Sequence, residues 1–211
     1  MTSPTAPPES LRVRVRPLVF LTRRLRDPRR LSKGLETLGA VAVASGAAVL
    51  LLAIGGASPP SAPWLGIPAD RYFYWEAAFI APVIFLGAIL AAGTMHLLAR
   101  AMGAMGPFDD AIALLGVTIS VATLVRLIPD AVIGALLSIG VVDARAWMHA
   151  ITHPTAVLAG VWVCRLVSVG ALLYLCPVVA GLCYRLRGWR AVAVGWGTFA
   201  VYQGFVYVFV R

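Results

Sequence analysis

The chain is dominated by long apolar runs that alternate with short polar stretches. Five of these runs contain about 20 residues or more with few charges, and a helix needs about 20 apolar residues to cross a hydrocarbon core of about 30 Å. Backbone polar groups inside a bilayer must bond to one another, which favours helices over extended chain. We therefore predict an all-α, polytopic membrane helix bundle with five transmembrane helices, at about residues 36–57, 73–101, 109–128, 162–184 and 191–210.

The second and third runs form a tight hairpin, because only the turn MGAMGP separates them. Glycine and proline punctuate helices, and the carboxylates of Asp109 and Asp110 suit the first turn of the next helix. We expect Pro129 to break the third span. The apolar run that follows, residues 131–142, is too short to cross the bilayer. It either continues the span beyond a kink or lies at the interface, and residues 143–156 are predicted to form an outer loop.

Positive charge is concentrated at the start of the chain. The protein has 18 Lys and Arg against 9 Asp and Glu, and nine of these cations fall between Arg12 and Lys33. We divide the chain into residues 1–33, a basic cytoplasmic tail interrupted by prolines, and residues 34–211, the transmembrane domain. Residues 1–10 are rich in Pro, Ser and Thr and are expected to be disordered. Without a soluble domain to present a binding face, the charge favours anionic lipid over nucleic acid.

Two roles for the basic tail remain open. Leu18, Phe20, Leu21 and Leu25 can lie at the headgroup boundary while neighbouring arginines contact lipid phosphates. The candidate headgroup contacts are Arg23, Arg24, Arg26, Arg29 and Arg30. Alternatively, the charge only keeps the N-terminus in the cytoplasm. With that orientation, 13 Lys and Arg lie on the cytoplasmic side and 5 on the outer side, so the positive-inside rule predicts an inner N-terminus and an outer C-terminus.

Ionisable and polar side chains at membrane depth mark the candidate site. A charge there costs about 2.5–3.5 kcal/mol on insertion scales, so each calls for a partner. The candidates for an intramembrane polar site are Glu76, Ser120, Thr123, Arg126, Asp130 and Arg165. We hypothesise that the stripe from Ser120 to Arg126 faces the bundle and that Glu76 pairs with Arg126 or Arg165. The alternative is that each arginine reaches the headgroups alone.

The cysteines and histidines of the sequence do not form a recognisable catalytic or metal-binding site. Cys164, Cys176 and Cys183 lie in one apolar segment without metal-ligand spacing, so we interpret them as buried structural thiols. His149 and His153 share a helical face, but two histidines without a firm third ligand are a weak metal site. Nucleophile triads, phosphate-binding glycine loops and paired catalytic carboxylates are missing from the sequence. We expect no catalytic residues, no cofactor and no metal.

The hairpin segment LLARAMGAMGPFDDAIALLGVTISVATLVRLIP resembles the bacterial branch of the Yip domain family. The resemblance rests on Gly106 and Phe108 in the turn, Gly116 in the third span and Pro129 at its end. RDPRRLSKGLE upstream and LLYLCPVVAGLCYRLRGWRAVAVG downstream extend it over most of residues 27–211. It implies five spans with a cytoplasmic N-terminus, here in a bacterial cytoplasmic membrane. Eukaryotic members are linked to Rab GTPases, but through a longer N-terminal domain than this basic tail.

Two functions fit these features. The first is a non-enzymatic membrane organiser or adaptor that acts through helix and lipid contacts, with anionic lipids, other membrane proteins or further copies of itself as partners. Small-residue helix faces such as Gly39, Ala42 and Gly46 favour it, because they let helices approach closely. The second is a small permease or channel with a polar site between spans two, three and four. Prolines within spans two and four favour that alternative, since interrupted helices often line transport sites.

Overall fold

The computed structural model describes residues 19–59 and 67–209, and within them the chain is helical without strands. Residues 19–25 form α1. The remaining helices are α2 (Arg30–Ile54), α3 (Tyr72–Ala101), α4 (Phe108–Ser138), α5 (Ala144–Thr152), α6 (Ala156–Tyr184) and α7 (Trp189–Phe209). Five of them, α2, α3, α4, α6 and α7, are long and apolar enough to cross a membrane. The predicted all-α bundle of a multi-pass integral membrane protein is therefore confirmed. The expected disorder of residues 1–10 lies outside the described residues.

Several helices extend beyond the apolar runs that predict them. α2 begins at Arg30 and α6 begins at Ala156, each about six residues before the predicted span. A helix continues past the hydrocarbon core because its backbone bonds remain favourable there, and long basic side chains can reach back towards headgroups. The predicted outer loop at 143–156 contains the short helix α5.

The expectation that Pro129 breaks the third span was wrong. α4 runs through Pro129 and ends at Ser138, with 31 residues in one helix. Proline removes one backbone hydrogen bond, but neighbouring helices can hold the turns on either side of it in a membrane bundle. Here Gly134 packs closely on α2, where an added Cβ would lie 3.0 Å from the Ala48 carbonyl oxygen. Residues 131–138 therefore continue the α4 helix, as the first of the two alternatives for this run proposed, whereas residues 139–142 lie beyond its end.

The spanning helices form a closed ring in the order α2, α4, α6, α7, α3, and α3 also touches α4 across it. α2 and α4 run parallel, because Gly34 meets Ala113 near their starts and Gly55 meets Leu137 near their ends. The other neighbours around the ring are antiparallel; for example, Gly46 of α2 lies against Ala77 of α3. Successive spans therefore run in opposite directions, as expected for a multi-pass membrane protein with short connections.

Small residues set the closest helix contacts. A Cβ added to Gly34 would lie 2.7 Å from the Ala113 carbonyl oxygen, and one added to Gly116 would lie 3.0 Å from the Gly34 carbonyl oxygen. The predicted small face of α2 also packs, since Ala42 is buried and Gly46 faces the backbone of α3. Such faces bring backbones together where side-chain hydrophobicity alone gives no preference for protein over lipid.

α1 is held against the bundle rather than lying wholly in the headgroup layer. Leu21 is only 4% exposed and belongs to the main core, and Leu25 packs against that core. Phe20 remains exposed, as expected for a side chain at the headgroup boundary. Leu18 lies outside the described residues. Leu21 is therefore covered by protein, because an apolar side chain beside a helix bundle can bury itself against protein as well as against lipid.

Candidate functional site

A small polar cavity lies between α2, α3, α4 and α7, in the half of the bundle away from the starts of α2 and α4. The predicted position between spans two, three and four was wrong in part, because the first and fifth spans (α2 and α7) line the cavity and the fourth (α6) does not. Its volume is about 40 Å³, enough for a few water molecules at most. Four of the six predicted site residues line it, namely Glu76, Thr123, Arg126 and Asp130. Ser45 and Tyr202 add two hydroxyl groups from α2 and α7.

Helical periodicity explains why these residues meet. Thr123, Arg126 and Asp130 follow one another at three- and four-residue spacings and so share one face of α4. α3 enters from the opposite end, which places Glu76, in its second turn, at the same level. Tyr202 occupies the corresponding level of α7 because that helix runs antiparallel to α3, with Gly87 of α3 packed on its ring.

Glu76 is the most buried ionisable side chain of the site, with 5% of its surface exposed. Arg126 and Asp130 share its cavity, yet Glu76 makes no ion pair within 4 Å among the described residues. The hypothesised direct pair with Arg126 or Arg165 is therefore not formed. In a polar cavity of this size, water can bridge charged groups that do not touch.

Two predicted site residues lie away from the cavity. Ser120 is completely buried, and its hydroxyl donates a 2.7 Å hydrogen bond to the Gly116 carbonyl of its own helix. Arg165 is exposed on α6, with its guanidinium 5.7 Å from the centre of the Trp162 ring. The residues of the polar stripe predicted on α4 therefore lie in two different places. Ser120 is in the packed core, and Thr123 lines the cavity.

A densely packed layer separates the cavity from the other end of the bundle. On α4 it contains Leu115 and Ile119, on α3 Met95, on α6 Val179 and on α7 Val194, and each of these side chains is 0–1% exposed. Thr118 lies in the same layer, and its hydroxyl oxygen makes no hydrogen bond within the part of the chain that the structure describes. The sequence did not single out this residue, because a lone threonine in an apolar helix gives no signal of an unpaired hydroxyl.

At the far side of this layer, the structure collects most of the chain's cations. The alternating helices bring α1, the start of α2, the α3–α4 turn and the α6–α7 turn to one end, which we call the basic end. It carries Arg23, Arg24, Arg26, Arg29, Arg30, Lys33, Arg100, Arg185, Arg187 and Arg190. Arg30, a predicted headgroup contact, forms an ion pair with Asp110 in the first turn of α4.

The hairpin turn is fixed at the basic end by side-chain contacts. Nδ1 of His96 lies 3.0 Å from the Tyr184 hydroxyl, and the His96 ring meets Phe108 edge-on at 5.7 Å. Gly106 lies so close to the Cys183 carbonyl that a Cβ would collide with it. The turn residues quoted for the Yip resemblance, Gly106 and Phe108, are therefore packing residues in this fold.

The remaining candidates give no further site. Cys176 and Cys183 are buried free thiols, as predicted, whereas Cys164 is partly exposed and departs from that prediction. The rings of His149, on α5, and His153, directly after its end, stack at 4.0 Å. No group of three or more metal-ligating side chains occurs among the residues described.

Comparison with known proteins leaves the family open. No protein-family model matches the chain, and no curated protein or solved structure matches it significantly.

Proposed function

We propose that the protein is a Yip-like integral membrane protein that works without catalysis, as an organiser or adaptor of other membrane components. The observation that carries this proposal is the packed layer between the polar cavity and the basic end. A cavity of about 40 Å³ that stops at such a layer is too small to take up most solutes. The Yip-like residues support the proposal in that Gly106, Phe108 and Gly116 all lie at contacts between helices.

The proposal includes an orientation. The basic end faces the cytoplasm, the C-terminus lies outside, and the membrane is the cytoplasmic membrane of a bacterium. The gathering of cations at one end supports this assignment through the positive-inside rule. This orientation also places Arg23 and Arg24 of α1 on the side of the anionic inner leaflet, where each cation contributes about 1 kcal/mol of attraction. We therefore propose anionic lipid as the main partner, and other membrane proteins or further copies of the chain as additional partners.

A small permease is the second candidate, and one observation favours it. Glu76 is buried in the membrane-spanning region, faces a polar cavity and has no direct ionic partner among the described residues. Ionisable residues in such positions often lie on transport pathways. A permease would have to open the packed layer around Leu115 and Ile119 during its cycle.

Purification of the full chain from native membranes in a lipid-preserving polymer tests the first proposal. An organiser should retain a reproducible set of anionic lipids or a stoichiometric protein partner. A variant that neutralises Arg23 and Arg24 of α1 should lose the lipid enrichment. If the wild-type particles carry the bulk lipid composition and no stoichiometric partner, the organiser proposal fails.

A further inference from the structure

An open groove of about 590 Å³ lies between α1 and the first turns of α2 at the basic end. Phe20, Arg23 and Arg24 form its wall on α1, and Glu36 and Thr37 belong to its wall on α2. The groove is thus large enough for a phospholipid headgroup, and it lies where the chain enters the membrane.

The groove's acidic side chains are already occupied by local partners. Asp27 forms an ion pair with Lys33 and accepts a 2.9 Å hydrogen bond from the backbone N–H of Arg29. The hydrogen bond from Lys33 is the main reason why the pKa of Asp27 is lowered below its usual value. Glu36 accepts a 2.6 Å hydrogen bond from the hydroxyl of Ser32. These contacts reduce the repulsion that the two carboxylates would exert on an anion.

The two arginines, in contrast, are available to a ligand. Within the described ranges, neither Arg23 nor Arg24 has a carboxylate within 4 Å. The Arg24 guanidinium lies 5.6 Å from the centre of the Phe20 ring, which orients it without neutralising it. Guanidinium groups match the geometry of phosphate oxygens and can bind them through paired hydrogen bonds.

The groove is held in place by the bundle. Leu21 and Leu25, on the other face of α1, pack into or against the main core. This anchoring fixes the position of the arginines relative to α2, so a bound anion would not have to order the segment first.

The groove also leads to an apolar surface that suits acyl chains. From Glu36, the exposed face of α2 continues through Val43, Leu50 and Ile54, of which Val43 is 71% exposed. A ligand with a phosphate at the arginines and a hydrocarbon tail along this stripe would satisfy both surfaces at once. A free phosphate ester would use only the first.

We propose that the groove between α1 and α2 binds one anionic phospholipid, with its phosphate at Arg23 and Arg24 and an acyl chain along the exposed face of α2. The inference rests on the proposed organiser function and names the lipid partner of its basic end. Phe20 acts as a positioning residue, because it holds the Arg24 guanidinium from one side.

Native mass spectrometry of the full chain in mild detergent tests the proposal by measuring the Kd of the first bound phosphatidylglycerol and of phosphatidylcholine. We expect Arg23→Gln combined with Arg24→Gln to raise the phosphatidylglycerol Kd about thirty-fold, from the usual contribution of a cation near an anionic headgroup. Phe20→Ala should raise the same Kd about threefold, because it removes one partly exposed cation–π contact that orients Arg24. Unchanged thermal stability of each variant would show that the bundle remains folded.

A matched control uses two arginines of the basic end that lie outside the groove. Arg187 and Arg190 are exposed, and Arg190 stacks on Trp189 at 5.9 Å, much as Arg24 stacks on Phe20. Arg187→Gln combined with Arg190→Gln removes the same charge, and we expect less than a threefold change in Kd. The groove accounts for this selectivity because Arg187 and Arg190 do not line it.

Three results would overturn the proposal. Equal losses in the two double variants would mean that the attraction is a diffuse property of the basic end. Equal Kd values for the two wild-type lipid complexes would mean that the groove does not select charge. Displacement of the lipid by millimolar inorganic phosphate would assign the groove to a soluble anion. None of these results bears on the packed layer of the bundle, which carries the organiser proposal. The lipid site can therefore be wrong while the organiser proposal still holds.

Discussion

The crossing of α2 and α4 at Gly34 gives the sharpest prediction about the fold. In Gly34→Ala, the new Cβ would lie 2.7 Å from the Ala113 carbonyl oxygen and 2.8 Å from the Ala113 Cα. Both neighbours are backbone atoms, so the helices would have to separate by about 0.7 Å to restore ordinary contact. Overpacking of this kind costs about 1–3 kcal/mol.

Helix propensity offsets part of that cost. Alanine is better than glycine in a helix by about 0.5–1 kcal/mol. We therefore expect Gly34→Ala to lower the free energy of unfolding by up to about 2.5 kcal/mol, which is a factor of up to roughly sixty in the folding equilibrium. Equilibrium unfolding in mixed detergent and SDS micelles, followed by circular dichroism, measures the difference.

Gly39→Ala is the matched control, five residues further along the same helix. Its Cβ would meet only the end of the Phe85 ring at 3.6 Å, which is ordinary van der Waals contact. The propensity gain should therefore appear without the steric cost, and the variant should be as stable as the wild type or more stable. If Gly34→Ala proves as stable as Gly39→Ala, the close parallel crossing of α2 and α4 is incorrect.

Three further predictions follow from other contacts. Gly195→Ala should lower the free energy of unfolding more than Gly34→Ala, because its Cβ would fall on the backbone of Pro177; equal or greater stability than the wild type would refute the α6–α7 packing. A double-mutant cycle of Glu76→Gln and Arg126→Gln should give a coupling energy of about 0.5–3 kcal/mol, since both groups line one cavity; additive effects would contradict a shared site. The hydrogen bond from Lys33 lowers the pKa of Asp27, so it should stabilise the fold at any pH above 3.8, the usual pKa of the carboxyl group. This stabilisation should be lost as the pH falls through the lowered pKa of Asp27. The stability difference between wild type and Asp27→Asn should therefore shrink in acid, and a constant difference across that range would refute the contact.

Hydrophobic patterning predicted the spans well because segment length is a direct consequence of bilayer thickness. It failed at Pro129, where the sequence shows the loss of one backbone bond but not the packing that compensates for it. In the structure, the turn after Pro129 places Gly134 on the backbone of α2. That contact depends on which helix is adjacent, and a sequence pattern does not contain this information.

The candidate site was predictable along single helices and, between helices, only for Glu76, which shares the cavity with Arg126 as expected but does not pair with it directly. Spacing alone places Thr123, Arg126 and Asp130 on one face of α4, and all three line the cavity. The contributions of Ser45 and Tyr202 could not be foreseen, because they depend on the order of helices around the ring. Ser120 was misplaced since its hydroxyl bonds to its own helix backbone, an alternative open to any serine within a helix.

Cysteine accessibility in oriented membrane vesicles measures most directly whether the bundle is closed. Three cysteine variants are made in a Cys164→Ser background. Arg187→Cys reports whether the basic end is accessible, Thr123→Cys reports on the polar cavity, and Thr118→Cys reports on the packed layer. Each is treated with a membrane-impermeant thiol reagent from one side at a time. We expect Arg187→Cys to react from the cytoplasmic side, and both threonine variants to stay unlabelled from that side. Labelling of Thr123→Cys from the cytoplasmic side would show a path through the packed layer and would favour the permease over the organiser.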